Sequence, residues 1–232
     1  MKILLISDVH ANIEALEEVL NHTSFDEVAF MGDAVDYGPN PSEVFDLLRY
    51  IQAKRVLGNH DAAAAYGVDC RSSPATHSAS VATRDRITLK LMTHKSLDLL
   101  GKIDRKLDFE CDGLKIRALH AAPADVLYKY VEKAEAERFE MNGADLMLVG
   151  HTHVPYEVKK GNVWVVNPGS VGFPADGDPR ASYAILDTKT RQVTFGRVKY
   201  DIDGVFMKLR ELLGEDETVF EVLAKWLRTA IR

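Results

Sequence analysis

Residues 2–10 of the chain read KILLISDVH. The apolar run from Ile3 to Ile6 is short and continuous, which is typical of a strand buried on both faces. Asp8 and His10 follow at once, and then comes a stretch with apolar residues at helical spacing, which Asn12 is placed to cap. These residues predict a strand, a loop and a helix, with a carboxylate and an imidazole at the carboxyl end of the strand.

The next part of the chain repeats this plan. Glu27 to Met31 predicts a second strand, which is followed by Gly32-Asp33 and, after a turn rich in glycine and proline, by a helix from about Ser42 to Ile51. Lys54 to Leu57 predicts a third short strand, which ends in Gly58-Asn59-His60-Asp61. Polar residues therefore follow the third predicted strand as well.

The segment from Ala62 to about Leu100 contains no strand pattern and is compatible with helix, so a helical insertion is predicted at about 62–106. Closely spaced strands follow it, and the Asp112-Gly113 dipeptide between the first two is a strong hairpin signal. These strands are predicted at Leu107 to Glu110, Leu114 to Leu119, Asp145 to Val149, Val163 to Val166, Ser182 to Asp187 and Val193 to Lys199. One helix is predicted among them, at about Val131 to Asn142.

Two amphipathic segments, Val205 to Leu213 and Val219 to Ile231, close the sequence. Apolar faces of this kind usually cover a sheet, and the alternative is an interface between two copies of the chain. The alternation of strands and helices early in the chain, followed by closely spaced strands, predicts mixed sheets with helices on the outside. The expected organisation is one α/β domain, of the α+β type, over residues 1–232.

Composition narrows the functional classes. The chain has 232 residues and a formal net charge of −6, with 29 Lys and Arg against 35 Asp and Glu, which is the wrong sign for a protein that grips duplex nucleic acid. Cys70 and Cys111 stand apart, so they predict free thiols in a reducing cytoplasm and no zinc ribbon. The apolar run at the start of the sequence is too short for a signal peptide or a membrane span. We therefore expect a cytoplasmic protein that binds neither a membrane nor duplex nucleic acid.

Five polar segments each follow a strand-like apolar run. They are Asp8-Val9-His10, Gly32-Asp33-Ala34-Val35-Asp36, Gly58-Asn59-His60-Asp61, His120 and Gly150-His151-Thr152-His153. In an extended backbone the side chains of Asp8 and His10 leave on the same side, as two ligands of one ion must. The same holds for His151 and His153 only if the backbone is extended through Thr152. A kink at Thr152 would let the two histidines serve two neighbouring ions.

The ligand types in these segments indicate a divalent metal centre. Carboxylate, carboxamide and imidazole without thiolate suit Mn²⁺, Fe²⁺, Co²⁺, Ni²⁺ or Zn²⁺, and Ca²⁺ is disfavoured by so many histidines. Seven candidate ligands are too many for one tetrahedral ion but match two ions that share a bridging carboxylate. Two such ions can polarise a phosphoryl oxygen and generate a hydroxide for in-line attack at phosphorus. We take Mn²⁺ as the first choice for both ions.

In their order and approximate spacing, these motifs resemble the signature of the calcineurin-like metallophosphoesterases. Asn167-Pro168-Gly169-Ser170-Val171-Gly172 extends the likeness to the small prokaryotic phosphodiesterases of that superfamily. The resemblance implies a four-layer β-sandwich with mixed sheets flanked by helices. It also implies that Asp8, His10 and His153 hold one metal ion, that Asn59, His120 and His151 hold the other, and that Asp33 bridges both.

The resemblance also implies a role for His60, which would steady the phosphate and protonate the leaving oxygen while Asp36 orients its imidazole. A histidine held by a carboxylate suits this task. Where the Ser/Thr phosphatases of the superfamily have arginine and glutamate, this chain has Tyr37 and Asp61, which argues against a protein phosphatase. Arg180 follows a glycine-rich loop and is either a bidentate phosphate clamp or part of a surface ion pair.

The expected function is metal-dependent hydrolysis of small phosphodiesters or phosphomonoesters by a metal-bridging hydroxide. Nuclease activity and dinucleoside polyphosphate hydrolysis are alternatives at the same site. An alternative from another class is a non-catalytic protein-binding scaffold on the same fold, which would be expected to lack a ligand or the catalytic histidine. Tyr37, Tyr66 and His77 are expected to serve in packing. The expected partner is a small phosphorylated substrate, with a homo-oligomer as a further possibility.

Overall fold

Two five-stranded mixed sheets face each other in the computed structural model, which describes residues 1–232. The first strand, β1 (Lys2–Ile6), lies at the centre of the first sheet, where it pairs in parallel with β2 (Glu27–Phe30) and antiparallel with β9 (Ala181–Asp187). Its residues Ile3, Leu4, Leu5 and Ile6 are all fully buried. The short apolar run is therefore the central strand that its pattern predicts.

The remaining elements complete the two sheets and their covering layers. The strands are β3 (Lys54–Arg55), β4 (Lys106–Cys111), β5 (Leu114–Leu119), β6 (Leu146–Leu148), β7 (Tyr156–Lys160), β8 (Val163–Asn167) and β10 (Gln192–Val198). The helices are α1 (Ile13–His22), α2 (Pro41–Tyr50), α3 (Asn59–Tyr66), α4 (His77–Thr83), α5 (Leu89–Leu91), α6 (His94–Gly101), α7 (Lys133–Ala136), α8 (Ile202–Leu213) and α9 (Glu217–Thr229), and a π-helical turn spans Arg84–Thr88. The first sheet has the order β10-β9-β1-β2-β3, and the second has the order β4-β5-β6-β8-β7.

The core between the sheets is formed by alternate residues of the facing strands, such as Ile3 and Leu5 of β1 against Ile116 of β5. Leu4 and Ile6 point the other way and pack against helices α1 and α2. Burial of apolar area on both faces of a strand is the main stabilising contribution in such a sandwich. The predicted four-layer arrangement of mixed sheets flanked by helices is confirmed.

Several local predictions need correction. The helix predicted at Val131–Asn142 is limited to the single turn α7, because the buried residues Val131, Ala136 and Met141 recur every five positions, which does not match the helical period. The strand β7 was not predicted, although it pairs with β8 along its whole length. The third strand was predicted to continue to Leu57, but it pairs with β2 only at Lys54–Arg55, so the chain leaves the sheet earlier than expected.

The closing helices α8 and α9 do not lie over a sheet. Their apolar faces pack on Tyr37 and Phe173, two residues in loops at the carboxyl ends of the strands. This position brings α9 to the edge of the sheets where the polar motifs lie. No helix of the chain combines the length and apolar character that a bilayer crossing requires.

Candidate metal centre

The polar segments that follow five different strands meet at one edge of the sandwich. Three buried groups of side chains there have ligand atoms within 4.8 Å of one another. They are Asp8 with His10 and His153, Asp33 with His120 and His151, and His10 with Asp33 and His60. In open α/β sheets, ligands bind outside the carboxyl ends of the strands. The strands that precede these side chains end at the same edge, and this brings the side chains together.

In the first group three ligand atoms face a common point. His153 Nε2 lies 3.2 Å from Asp8 Oδ1 and 3.2 Å from His10 Nε2, and His10 Nε2 lies 3.9 Å from the same Asp8 oxygen. All three side chains are buried. Asp8 and His10 were predicted to converge through extended backbone, and this prediction is wrong, because both residues have positive φ, 52° and 47°.

The second group gathers around His120 at the end of β5. Its Nε2 lies 2.8 Å from Asn59 Oδ1, 3.2 Å from His151 Nδ1 and 3.3 Å from Asp33 Oδ2. His151 and His153 therefore face different groups. Both have positive φ, 65° and 61°, so the backbone is kinked around Thr152 and the two-ion alternative is the one the geometry favours.

Asp33 lies between the two groups. Its Oδ2 is 3.3 Å from His120 Nε2 in one group and 3.7 Å from His10 Nε2 in the other. Its Oδ1 accepts a hydrogen bond from the backbone N–H of His60. Oδ2 of Asp33 is thus shared by both groups, while Oδ1 is fixed by a backbone hydrogen bond.

The hydrogen bonds of the four histidines test whether these residues fit metal ions. Each ring uses its outer nitrogen to contact a backbone carbonyl: His10 Nδ1 that of Val35, His120 Nδ1 that of Met31, His151 Nε2 that of Tyr128 and His153 Nδ1 that of Phe173. A carbonyl only accepts, so these nitrogens donate and the inner nitrogens of neutral rings carry lone pairs. The inner nitrogens of His10 and His153 face each other at 3.2 Å as two lone pairs, beside a buried Asp8 Oδ1 that has no hydrogen-bond donor, and this is an arrangement that a divalent cation stabilises. The residues fit such ions.

The backbone around these groups requires glycine at two positions where it passes close to a carboxylate. A Cβ on Gly58 would collide with the Asp33 carboxylate, and a Cβ on Gly150 would collide with Ser7 and the Asp8 carboxylate. Asp61 fastens the same loops, because its carboxylate accepts hydrogen bonds from the backbone N–H groups of Asp33, Ala34 and Gly58. The short Asp61 side chain therefore orders the loops of the second and third strands.

The histidines of the candidate metal centre are of two kinds, which differ in the direction of their pKa shift. Burial lowers the pKa of His10 and of His151 to about 3, and burial together with the positive charge of Arg232 lowers that of His153 well below its ordinary value. Burial is the largest effect on His120 and lowers its pKa, but the charge of Asp33, the hydrogen bond to Asp33 and the charge of Asp8 together outweigh it and raise the pKa to about 9. In the metal-free protein one ligand candidate of the second group therefore holds a proton at neutral pH.

His60 and Asp36 form a buried pair beside the first group. The Nδ1 of His60 lies 3.0 Å from Asp36 Oδ2, and the ring centroids of His60 and His10 are 4.9 Å apart. Burial alone would lower the pKa of His60, but the charge of Asp33 and the hydrogen bond to Asp36 raise it to about 9. The pair is placed to hold a protonated imidazole against the two groups.

The residues that surround this pair were not predicted from the sequence. Arg84 donates two hydrogen bonds to Asp36 Oδ2, and Thr88 donates one to Oδ1. Both lie in the segment interpreted as a helical insertion, where an isolated arginine and threonine carry no signal. Tyr37 was expected only to pack, and its buried ring does so directly on His10 and His60, with centroid distances of 4.8 and 4.9 Å.

Aromatic residues also cover the outer histidines. The ring of Trp226 stacks on His153 at 5.4 Å, and the ring of Tyr130 lies 4.1 Å from that of His151. Arg232 lies beside both aromatic rings. Arg180, by contrast, is exposed and makes a bidentate ion pair with Asp178, with Nη2 2.6 Å from Oδ2, which is the surface ion pair left open by the sequence.

Comparisons with known proteins agree with this geometry. The family model described as the Calcineurin-like phosphoesterase superfamily domain matches residues 1–191. The uncharacterized protein MJ0912 of Methanocaldococcus jannaschii is 33% identical over 92% of this chain and 96% of its own length. Phosphodiesterase YfcE of Escherichia coli is 24% identical over 83% of this chain and 91% of its own. The crystal structure of a metallophosphoesterase from Sphaerobacter thermophilus, 31% identical, superposes with a TM-score of 0.80 over 97% of this chain and 99% of that one.

Proposed function

Because the chain belongs to the calcineurin-like phosphoesterase superfamily, we propose that it is a hydrolase of small phosphodiesters or phosphomonoesters that depends on two divalent metal ions. One observation carries the proposal: two buried groups of ligands share the carboxylate of Asp33, and His60 stands beside them on Asp36. When bound, the ions would supply Lewis acidity and activate water for attack at phosphorus. Mn²⁺ is the metal we propose first.

The proposal assigns the ligands to two sites. Asp8, His10 and His153 would hold one ion, and Asn59, His120 and His151 would hold the other. Asp33 would contact both, since the same oxygen faces His10 and His120. Carboxylate, carboxamide and imidazole ligands suit Mn²⁺ and its neighbours in the first transition series.

His60 has a different task in this proposal. Its Nδ1 is occupied by Asp36, so Nε2 is the nitrogen that can give a proton to the departing oxygen of the ester. Its raised pKa keeps that proton in place at neutral pH. Asp36 acts as a positioning residue, because Arg84 and Thr88 hold its two oxygens in place.

A non-catalytic scaffold on this fold would not need His60, Asp36 and the full set of ligands in one buried arrangement. Their joint presence supports an enzyme. A nuclease is a weaker alternative, since the net charge of −6 does not favour binding to a polyanion.

The test is hydrolysis by protein that has been stripped of metal and then reloaded. Bis-p-nitrophenyl phosphate reports diesterase activity and p-nitrophenyl phosphate reports monoesterase activity, each without metal and with Mn²⁺, Zn²⁺ or Ni²⁺. Activity that Mn²⁺ restores and that His60→Ala lowers is the expected result. A metal-loaded protein that hydrolyses neither ester would contradict the proposed reaction.

A further inference from the structure

The chain after α9 turns back toward the candidate metal centre. Ala230 adopts a left-handed conformation with φ of 51°, and its carbonyl accepts a hydrogen bond of 3.1 Å from the backbone N–H of Gly177. This turn brings the Nη2 of Arg232 to 3.3 Å from the carbonyl of Thr152. Thr152 is the residue between His151 and His153, so the guanidinium lies at the kink from which the two ligand candidates diverge.

Two aromatic rings connect Arg232 to those histidines. The guanidinium carbon lies 5.1 Å from the centroid of Trp226, which stacks on His153, and 5.7 Å from the centroid of Tyr130, which stacks on His151. Contacts of a guanidinium with aromatic faces are favourable and restrict its orientation. Arg232 is therefore held across the two rings that cover the outer histidines.

The hydrogen-bonding of Arg232 is incomplete. It pairs with no carboxylate, and its Nε is buried without any hydrogen-bond partner. Arg84 and Arg180, by comparison, are each neutralised by an aspartate. The guanidinium makes one hydrogen bond, from Nη2 to the neutral carbonyl of Thr152, so its charge is not compensated and its Nη groups can form charge-assisted hydrogen bonds with a phosphate.

We propose that Arg232, held by Trp226 and Tyr130, is an anion-binding subsite at the mouth of the candidate metal centre and binds a phosphate group of the substrate. The inference rests on the proposed function for the identity of the ligand. The phosphate is either the one that is hydrolysed or a neighbouring one in the same substrate. Arginine is suited to both because its planar group can contact two phosphate oxygens at once.

The test compares Arg232→Gln with Arg232→Lys and with the matched control Arg228→Gln. Arg228 lies in the last turn of α9, four residues before Arg232, but its guanidinium carbon lies 4.3 Å from the centroid of the Phe206 ring. The KM and kcat of each variant are measured with bis-p-nitrophenyl phosphate and with diadenosine tetraphosphate. We expect Arg232→Gln to raise the KM about tenfold with a smaller change in kcat, and we expect Arg232→Lys to recover part of the loss.

The pattern of the losses identifies the phosphate. A rise in KM with both substrates places Arg232 on the phosphate that is hydrolysed, whereas a rise only with diadenosine tetraphosphate places it on a neighbouring phosphate. An equal KM for wild type and Arg232→Gln with both substrates would overturn the subsite. So would an equal effect of Arg228→Gln.

A binding measurement separates this inference from the proposed function. Calorimetric titration of the Mn²⁺-loaded protein with inorganic phosphate and with pyrophosphate requires no turnover. If the wild type hydrolyses neither ester but binds these anions about tenfold more tightly than Arg232→Gln, the subsite stands and the proposed reaction fails. If hydrolysis is present but the affinity of both anions is unchanged in Arg232→Gln, the subsite fails and the reaction stands.

Discussion

The Nδ1 of His60 lies 3.0 Å from Oδ2 of Asp36, and both side chains are buried. The same carboxylate oxygen accepts hydrogen bonds of 3.1 and 2.7 Å from Arg84, and the hydroxyl of Thr88 donates to the other oxygen at 3.0 Å. Asp36 cannot rotate without breaking several of these bonds. The orientation of the His60 ring is therefore set by residues that do not themselves contact the ligand groups.

His60→Ala tests the proton donor. We expect kcat to fall by about 10² to 10⁴, with the largest losses on esters whose leaving groups are poor, because those need a proton most. The measurement is kcat for a series of aryl phosphodiesters of increasing leaving-group pKa, with metal content measured in parallel. Two bound ions and a steeper dependence on leaving group would support the role. Equal losses across the series would contradict it.

Asp36→Asn tests the control of the His60 proton. The charge of Asp33 and the hydrogen bond to Asp36 raise the pKa of His60 to about 9 against the opposing effect of burial. A general acid works only while it is protonated, so activity is lost as the pH rises through this pKa. Removing the carboxylate lowers the pKa, and the alkaline limb of the kcat profile should move to lower pH. An unchanged limb would show that another group controls it.

Arg84→Met tests how strongly the buried ion pair supports the site. The guanidinium side chain is only 9% exposed and lies 2.7 Å from Asp36, so its removal leaves a buried carboxylate with less compensation. We expect the free energy of unfolding to fall by about 3 kcal/mol. The matched control is Arg86→Met, whose guanidinium is 44% exposed and pairs with Asp216, and which should cost less than about 1 kcal/mol. Urea denaturation of both variants would expose the contrast, and equal costs would refute it.

Asp33→Asn tests the shared carboxylate. Its Oδ2 faces both His10 and His120, so the amide should weaken binding at both sites and reduce the metal content below that of the wild type. Elemental analysis after dialysis against Mn²⁺ provides the measurement. Asp178→Asn, whose carboxylate pairs with Arg180 at the surface, is the control and should keep the full content. Full metal content in Asp33→Asn together with normal activity would rule out the bridging role.

Metal loading should release protons. In the metal-free protein, burial lowers the pKa of His10 and His151 to about 3, whereas at His120 the charge of Asp33, the hydrogen bond to Asp33 and the charge of Asp8 together outweigh burial and raise the pKa to about 9. At pH 8 a metal ion must displace a proton from His120 but from neither of the others. We expect release of about one proton per protein, measured as the buffer dependence of the calorimetric binding enthalpy. An enthalpy that is independent of buffer would exclude a protonated His120.

The strand ends could be predicted from the sequence because the signal there is local. An apolar run followed by ligand residues identifies both the buried strand and its carboxyl end, as at Ile3–Ile6 and Asp8. The backbone path could not be predicted in the same way. His10 and His153 reach their positions through left-handed conformations, and these depend on contacts between loops that are far apart in the sequence.

The residues that cover the candidate metal centre cannot be recognised from the local sequence. Trp226 lies on an amphipathic helix, and such a helix has the same apolar period whether it covers a sheet or a metal centre. Trp226 and His153, which are in contact, lie more than seventy positions apart in the sequence. Val131–Asn142 has the composition of a helix, but tertiary packing selects a different spacing of buried residues. Both outcomes are decided by long-range packing, which neither composition nor periodicity encodes.

The left-handed backbone at Asp8, His10, Asp33, Asp36, His151 and His153 has an evolutionary consequence. Glycine adopts this conformation without the steric penalty that a side chain incurs, which is of order 1 kcal/mol at each position. Under the proposed function, a gene copy released from selection for catalysis should therefore drift toward glycine at these positions and gain stability as it loses Asp36 and the proposed ligands. Under that function, selection for chemistry retains the aspartates and histidines at these positions against the preference of the backbone.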